Sequence, residues 1–328
     1  MKYLITGGLG FIGSNFIFNL LKKKKIKIYN LDSEEYSSNL EILKNFKSFQ
    51  NFSHTKVDLS NFSNLKKIFD NIKPDILINF AAETHVDNSI RSSKKFINSN
   101  ILGTYNLLEC TRSYLNNNNL KNFKFIQIST DEVYGDIKLN EKKKFIENSN
   151  LKPSSPYSAT KASADMLVSA WHRTYNLPII ITRSSNNYGP YQNKEKLIPK
   201  IIFNIISRRK IPIYGKGKNV RNWIYVKDNV NAIMKVISKG KIGEIYNIGS
   251  KNEISNINIA KLICLELSKK LKKYSYSENL GLITYVEDRK GHDEKYSLNT
   301  KKIKKLKWKE KTNIVNGIKK TIDWYLNK

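Results

Sequence analysis

A short apolar segment, Lys2-Tyr3-Leu4-Ile5-Thr6, runs into Gly7-Gly8-Leu9-Gly10-Phe11-Ile12-Gly13-Ser14, and a helical pattern from Asn15 to about Leu21 follows. Glycines at 7, 10 and 13 give the spacing G-x-x-G-x-x-G, which few folds can use. The first permits a tight turn, the second lets backbone approach a diphosphate, and the third lets helix pack on strand. The helix N-terminus then offers amides and a positive dipole end to the phosphates. A lone glycine motif is weak, but here the next strand (Ile26 to Leu31) ends on Asp32, 19 residues after Gly13. A carboxylate at that position accepts from a ribose 2′-hydroxyl and repels a 2′-phosphate, so the unit predicts NAD rather than NADP.

The same alternation of strand and helix continues along the chain. Lys56-Val57-Asp58-Leu59 suits an adenine-edge contact by Asp58, or a loop-capping aspartate. Asp75 to Phe80 reads as a central parallel strand, followed by the small residues Ala81-Ala82 and then Glu83-Thr84-His85-Val86-Asp87. A helix is predicted from Ser93 to Leu115, with Asn100, Gly103, Thr104 and Asn106 suggesting close packing and buried hydrogen bonds. Further strands are predicted at Pro178–Thr182 and Gly243–Gly249. The expected fold is α/β, a Rossmann-type doubly wound parallel sheet with a smaller α/β C-terminal substrate lobe. Residues 1–187 with about 223–249 would bind the dinucleotide, and about 188–222 with 250–328 would form the second lobe.

Chemistry concentrates between 129 and 161. Ser129-Thr130-Asp131-Glu132-Val133-Tyr134-Gly135 follows a buried apolar run, and Tyr157-Ser158-Ala159-Thr160-Lys161 lies beyond a polar loop. Tyrosine and lysine four apart share one helix face. A phenol with an ordinary pKa of about 10 is a poor base, and an ammonium beside it favours the phenolate. Tyr-x-x-x-Lys alone is common on helix surfaces, and an Asp-Glu pair after a strand often only starts a helix. Behind a dinucleotide motif the set reads as an acid/base constellation.

Composition narrows the classes. The 328 residues include no apolar run of membrane-spanning length, and Met1-Lys2 leads straight into the first strand, so a cytoplasmic protein without signal peptide is expected. Cys110 and Cys264 sit in apolar helical patterns and read as reduced core thiols, and the four histidines lack metal-ligand spacing, so no metal is expected. The net charge of +30 raises the question of nucleic acid, but only 8 of the 58 basic residues are arginine. Phosphate clamps and base readers favour arginine's fork. The lysines are scattered among Asn and Ile, with an asparagine run at 116–119, so specific nucleic-acid binding is not expected.

With these segments in hand, the chain resembles the dTDP-glucose 4,6-dehydratase family of the extended short-chain dehydrogenases/reductases over essentially its whole length. The most specific parts are the 129–135 segment, Tyr157-x-x-x-Lys161, Ser185-Asn186-Asn187-Tyr188-Gly189-Pro190-Tyr191 and Glu195-Lys196-Leu197-Ile198-Pro199. Asn219-Val220-Arg221, Tyr246-Asn247-Ile248-Gly249 and Asp288-Arg289-x-Gly291-His292 complete the set. The Asp131-Glu132 pair separates this branch from the sugar-nucleotide 4-epimerases, which usually carry small residues there.

The resemblance implies conversion of dTDP-glucose to dTDP-4-keto-6-deoxyglucose with NAD returned unchanged. Tyr157 would take the C4 hydroxyl proton as hydride leaves C4 for NAD, with Lys161 and Thr130 positioning and polarising. The ketone acidifies C5–H, Glu132 would remove that proton, and a protonated Asp131 would deliver one to the departing C6 hydroxyl. Two carboxyls in one site push their pKa values apart, which suits one acid and one base.

Beyond Gly7, Gly10 and Gly13, the resemblance assigns Phe11, Ile12, Asp32, Asp58, Leu59, Ala81, Ala82, Thr84, Ser99, Tyr157, Lys161 and Asn187 to NAD. It assigns Thr84, Thr130, Asn186, Lys196, Leu197, Tyr214, Arg221, Asn256, Arg289 and His292 to the sugar nucleotide, with Arg221 the main diphosphate partner. Thr84 replaces a usual serine, Glu34-Glu35 stand where uncharged residues are usual, and Lys290 replaces a customary proline. A homodimer through the helices near 93–115 and 156–175 is implied as well. Two other readings stay open: the same reaction on UDP-glucose or a related sugar nucleotide, or a retired enzyme that binds NAD and serves as a scaffold or RNA-binding protein through its lysines.

Overall fold

The structure, a computed structural model, describes residues 1–118 and 122–327, so Asn119 at the end of the asparagine run lies outside the described residues. The strands of the first half are β1 (Lys2–Thr6), β2 (Lys27–Asp32), β3 (Phe52–Lys56), β4 (Ile76–Asn79), β5 (Lys124–Thr130) and β6 (Ile179–Ser184). They are followed by β7 (Asn186–Tyr188), β8 (Ile211–Tyr214), β9 (Val220–Tyr225), β10 (Ile245–Ile248), β11 (Glu253–Ser255) and β12 (Ile283–Val286). Seven of them form one sheet in the order β10-β6-β5-β4-β1-β2-β3, with every pairing parallel.

A parallel sheet is stable only with both faces covered, and the sequence supplies runs that are apolar throughout. All residues of β4 and of β6 are buried. On one face, Phe16, Ile17 and Leu20 of helix Phe11–Leu21 pack with Ile233 and Val236 of helix Val226–Lys239. On the other, Leu65 and Phe69 of helix Phe62–Ile72 meet Leu107 and Leu108 of helix Gly103–Asn117, and Val168 of helix Pro156–Tyr175 joins them. A third core lies in the C-terminal half, where helices Leu197–Ile206, Asn256–Leu271 and Ile314–Leu326 bury Ile202, Ile263 and Ile318. The end of strand β9 serves two cores by alternation: Trp223 and Tyr225 enter the third cluster, while Ile224, with Val226 at the start of the next helix, enters the first.

Three departures from the sequence expectation bear on the site. The first helix starts at Phe11 rather than Asn15, because Gly13 lies inside its first turn and the Ser14 amide already bonds to the Gly10 oxygen at 2.9 Å. Strand β6 runs on to Ser184, which takes Arg183 into the buried sheet. The helix expected from 93 to 115 is broken into a short turn (Lys94–Phe96), a π-helical turn (Ile97–Leu102) and the helix from Gly103. Its irregular turn carries Asn100, whose side chain accepts from the Glu83 amide at 2.8 Å and donates to the Glu83 carbonyl at 3.1 Å and to Thr160 Oγ1 at 2.9 Å. A π-turn re-aims side chains at the expense of helix regularity, and here it ties the loop after β4 to the helix of Tyr157.

Candidate active site

Between β1 and β4 the strand order reverses, and a cavity of about 1140 Å³ opens at the carboxyl ends of the strands. Gly7 has φ +68°, and a Cβ there would lie 2.6 Å from the Ala81 backbone. A Cβ on Gly13 would meet the Gly7 oxygen at 2.5 Å, whereas one on Gly10 has only that oxygen nearby, at 3.2 Å. Two glycines are therefore demanded by packing, and the third leaves backbone exposed to the cavity. Asp32 Oδ2 accepts from the Leu9 amide at 2.9 Å, and Oδ1 accepts from the Glu34 amide at 3.0 Å and Ser38 Oγ at 2.6 Å. With these bonds Asp32 braces the glycine turn and keeps one lone-pair site for a ligand. Asp58 both lines the cavity and caps its own loop through the Ser60 amide at 2.8 Å. Phe11, Ile12, Leu59, Ala81, Ala82, Thr84, Ser99 and Asn187 line the same cavity.

Thr130, Asp131, Glu132, Tyr157 and Lys161 are brought together on its inner wall. Thr130 ends β5, and its Oγ1 accepts from the Glu132 amide at 3.3 Å, turning the chain into a 3₁₀ turn (Asp131–Tyr134) that presents both carboxyls. The helix of Tyr157 starts from a capping box of Ser155 and Ser158 with Pro156 in its first turn. Ser89 Oγ accepts from the Tyr157 amide at 3.1 Å, which anchors that first turn to the helix Val86–Arg91. Behind it, Arg183 Nε pairs with Asp165 at 2.8 Å, and the guanidinium lies 4.8 Å over the Tyr134 ring.

Burial dominates the acid/base balance. It pushes Asp131 well above the usual carboxylate range, with the Glu132 charge adding to the effect. Glu132 is raised by burial too, but Arg221, Lys196 and Arg289 oppose the rise. Burial lowers Lys161 to about 8 against the charge of Asp165. Burial and then the Glu132 charge raise the Tyr157 phenol, and the Lys161 ammonium donates to the Ile128 oxygen at 2.7 Å.

Asn186 and Lys196 also line the cavity, and Lys196 Nζ donates to the Thr84 oxygen at 3.0 Å. Leu197, Tyr214, Arg221, Asn256, Arg289 and His292 are not on that wall. Arg221 is buried, donates to the Val220 and Asp293 carbonyls and lies 4.3 Å over Tyr296. Among the described residues no carboxylate is within ion-pair distance of it, so its charge acts on Asp131 and Glu132. His292 Nδ1 is 2.6 Å from Asp288, and Asn256 keeps its Oδ1 buried without a partner. Sequence reasoning missed Glu83 and Gln192 on the cavity wall and the Tyr36–Glu195 hydrogen bond between the loop after β2 and the loop before helix Leu197–Ile206. Nothing local marks Tyr36 and Glu195 as partners.

Buried polar atoms normally have partners. Ser129 Oγ, Asp131 Oδ2, Ser185 Oγ, Asn186 Oδ1, Asn187 Oδ1 and Gln192 Oε1 have none in the protein, and all belong to residues lining the cavity. With the open backbone at Gly10, they fit a polar ligand, and the volume exceeds the ~300–1,000 Å³ of ordinary small-molecule pockets.

Sheet order, glycine turn and the Tyr-Lys pair define a Rossmann-type α/β protein of the extended short-chain dehydrogenase/reductase class. The profile of the GDP-mannose 4,6 dehydratase family matches residues 4–321. The dTDP-glucose 4,6-dehydratase of Salmonella typhimurium is 44% identical over 99% of this chain and 93% of its own. Among solved structures, that of the dTDP-glucose 4,6-dehydratase from Bacillus anthracis in complex with NAD is 39% identical with TM-score 0.86, covering 100% of this chain and 97% of that one. The Streptomyces venezuelae dTDP-glucose 4,6-dehydratase with NAD and TYD bound is 36% identical with TM-score 0.90, at the same coverage. The chain belongs to the dTDP-glucose 4,6-dehydratase family.

Proposed function

We propose that the protein is an NAD-dependent dTDP-glucose 4,6-dehydratase, releasing dTDP-4-keto-6-deoxyglucose and water. The observation that carries this is the Asp131–Glu132 pair on the same cavity wall as Tyr157 and Lys161, since two carboxyls have no task in a 4-epimerase. The cavity residues fit NAD: Gly7, Gly10 and Gly13 would admit its diphosphate, Asp32 its ribose and Asp58 its adenine edge. When bound, NAD would supply the redox chemistry, as acceptor of hydride from C4 and donor of hydride to C6.

The side chains move the protons. Tyr157 accepts the C4 hydroxyl proton, with Thr130 and Lys161 beside it on the cavity wall. Asp131, raised by burial and by the Glu132 charge, is the carboxyl suited to the acid role and gives a proton to the departing C6 oxygen. Glu132, whose rise Arg221, Lys196 and Arg289 oppose, takes the C5 proton and returns it. Asn186, Lys196, Leu197, Tyr214, Arg221, Asn256, Arg289 and His292 hold the nucleotide diphosphate.

Residues 1–187 with about 223–249 are read as the cofactor domain and the remainder as the sugar-nucleotide lobe. We further read the protein as a cytoplasmic homodimer whose product feeds deoxysugar synthesis such as that of rhamnose. Ile97, Leu102, Tyr105 and Met166, all exposed on the helices 97–117 and 156–175, support the dimer. Among the described residues no helix is long and apolar enough to cross a membrane.

The test is incubation of the purified protein with dTDP-glucose, following the alkali-induced absorbance of the 4-keto-6-deoxy product beside a Glu132→Gln control. Product from the wild type and at least ~100-fold less from the control is expected. Turnover of UDP-glucose alone would overturn the substrate assignment.

A further inference from the structure

Asp87 stands in the first turn of the helix Val86–Arg91, three residues beyond Thr84 on the cavity wall. Its Oδ1 accepts from Arg289 Nε at 2.6 Å, and its Oδ2 accepts from Arg289 Nη2 at 3.3 Å and from the Tyr214 hydroxyl at 3.1 Å. One carboxylate thus grips two side chains of the second lobe, one of them 202 positions away in the chain.

The grip uses only one edge of the guanidinium. Arginine has five N–H groups, and Nε with one hydrogen of Nη2 are spent on Asp87. The whole Nη1 amino group and the second hydrogen of Nη2 have no protein partner among the described residues. Tyr214 supports the guanidinium, whose centre lies 5.3 Å from its ring centroid, and the ring of His292 meets that ring edge-on at 6.2 Å. Asp87 is a quarter exposed, so the pair is neither deeply buried nor a loose surface contact. The carboxylate would rise through burial, and the Arg289 charge overcomes this and holds it low, so the grip persists at neutral pH.

We infer that Asp87 is a positioning residue for the nucleotide diphosphate: it fixes Arg289 and Tyr214 with the free edge of the guanidinium available to an anion, and latches the second lobe to the loop of Thr84. This rests on the reading of the site as a nucleotide-sugar site. A latch of this kind acts on binding of the nucleotide. It leaves the proton-transfer groups 130–132 and 157–161 untouched.

The experiment compares wild type, Asp87→Asn, Arg289→Gln and the double variant, with calorimetric dTDP binding, KM and kcat for dTDP-glucose, NAD content and melting temperature. Asp87→Asn is expected to raise the dTDP Kd and the KM by about tenfold, as loss of a charge-assisted bidentate pair does, with kcat within about threefold of wild type. In the Arg289→Gln background the same substitution is expected to change Kd by less than about twofold, because the cycle removes a shared interaction. Unchanged Kd and KM in Asp87→Asn, full additivity in the cycle, or a fall in kcat alone would each overturn the inference. If Asp87→Asn lowers melting or NAD content, the cycle is read from Tyr214→Phe and Arg289→Gln, whose additivity on dTDP binding likewise overturns it. Failure of the wild type to bind dTDP would take down the nucleotide-sugar reading and this inference with it, whereas binding by the wild type with an unaffected Asp87→Asn overturns this inference alone.

Discussion

The ammonium of Lys161 donates to the carbonyl oxygen of Ile128 across 2.7 Å, joining the helix of Tyr157 to the end of β5. Burial lowers this lysine from 10.5 to about 8, opposed by Asp165. Below pH 8 the lysine is protonated folded and unfolded, so the folded state bears the full cost of a buried charge. Between about 8 and 10.5 the unfolded chain still binds the proton and the folded one does not, so this group's contribution to stability rises with pH. Lys161→Met is therefore expected to be more stable than wild type at pH 7, by up to roughly 3 kcal/mol less ~1 kcal/mol for the hydrogen bond lost at Ile128. The gain should shrink between pH 8 and 10, while turnover falls at least ~100-fold. Urea melts at the two pH values check this; a variant less stable than wild type at pH 7 would refute it.

Asp131 offers the complementary case. Burial and then the Glu132 charge raise it well above the usual range, while Arg221 pulls the other way. A carboxyl raised on folding weakens the protein as pH climbs from its unfolded value through its folded one, because the unfolded chain releases the proton first. Asp131→Asn keeps the shape and removes this titration. The variant should match wild type near pH 4 and exceed it in melting temperature at pH 8. It should still draw the C4 hydrogen from dTDP-glucose, seen as reduced nicotinamide absorbance, with product release slowed ~100-fold or more. Wild-type product formation by Asp131→Asn would remove Asp131 from the acid role.

Much of this was legible in the sequence because the determinants are local. The glycine turn, Asp32 and the Tyr157–Lys161 pair each sit within one supersecondary unit, where spacing alone fixes geometry. Both carboxyls of the Asp-Glu pair do reach one cleft, through the turn that Thr130 initiates. What was not legible depends on distance and desolvation. The partner of Lys161 is a carbonyl 33 positions away, and the partner of Asp87 is 202 away. The π-turn at Ile97–Leu102 answers to Asn100 reaching Glu83 and Thr160, which no periodicity of the helix itself encodes. The rise on Tyr157 is hidden for the same reason: spacing shows a lysine one turn away but not the burial around the phenol.

The glycines separate packing from ligand approach. A methyl group on Gly13 would sit 2.5 Å from the Gly7 oxygen and 2.9 Å from Gly8 Cα, both backbone atoms that cannot step aside. Gly13→Ala should cost about 1–3 kcal/mol of stability, as overpacking does, and lower NAD content with it. On Gly10 a methyl meets only the Gly7 oxygen at 3.2 Å, so Gly10→Ala should keep within about 1 kcal/mol of wild type yet lose most of its NAD. Chemical denaturation beside the absorbance ratio of purified protein distinguishes the two. Full NAD occupancy in Gly10→Ala would show that no ligand passes over that backbone.

Asp32 is expected to do more than choose between NAD and NADP. Its Oδ2 holds the Leu9 amide at 2.9 Å, inside the glycine turn, while Oδ1 holds the Glu34 amide and Ser38 Oγ of the next loop. Asp32→Ala strands a buried donor at Leu9, a loss of about 1–3 kcal/mol. It also slackens the turn over which the diphosphate must lie. Removing the negative charge should therefore fail to switch cofactor: NAD affinity drops about tenfold or more, and NADP supports no more turnover than in wild type. Asp32→Asn keeps an acceptor for the Leu9 amide and should recover most of the stability but not the NAD affinity, since its amide is a poorer acceptor for a ribose hydroxyl. Melting temperature and cofactor titration of the two variants test this. An Asp32→Ala protein that melts like wild type and turns over with NADP would show that the carboxylate only reads the ribose and braces nothing.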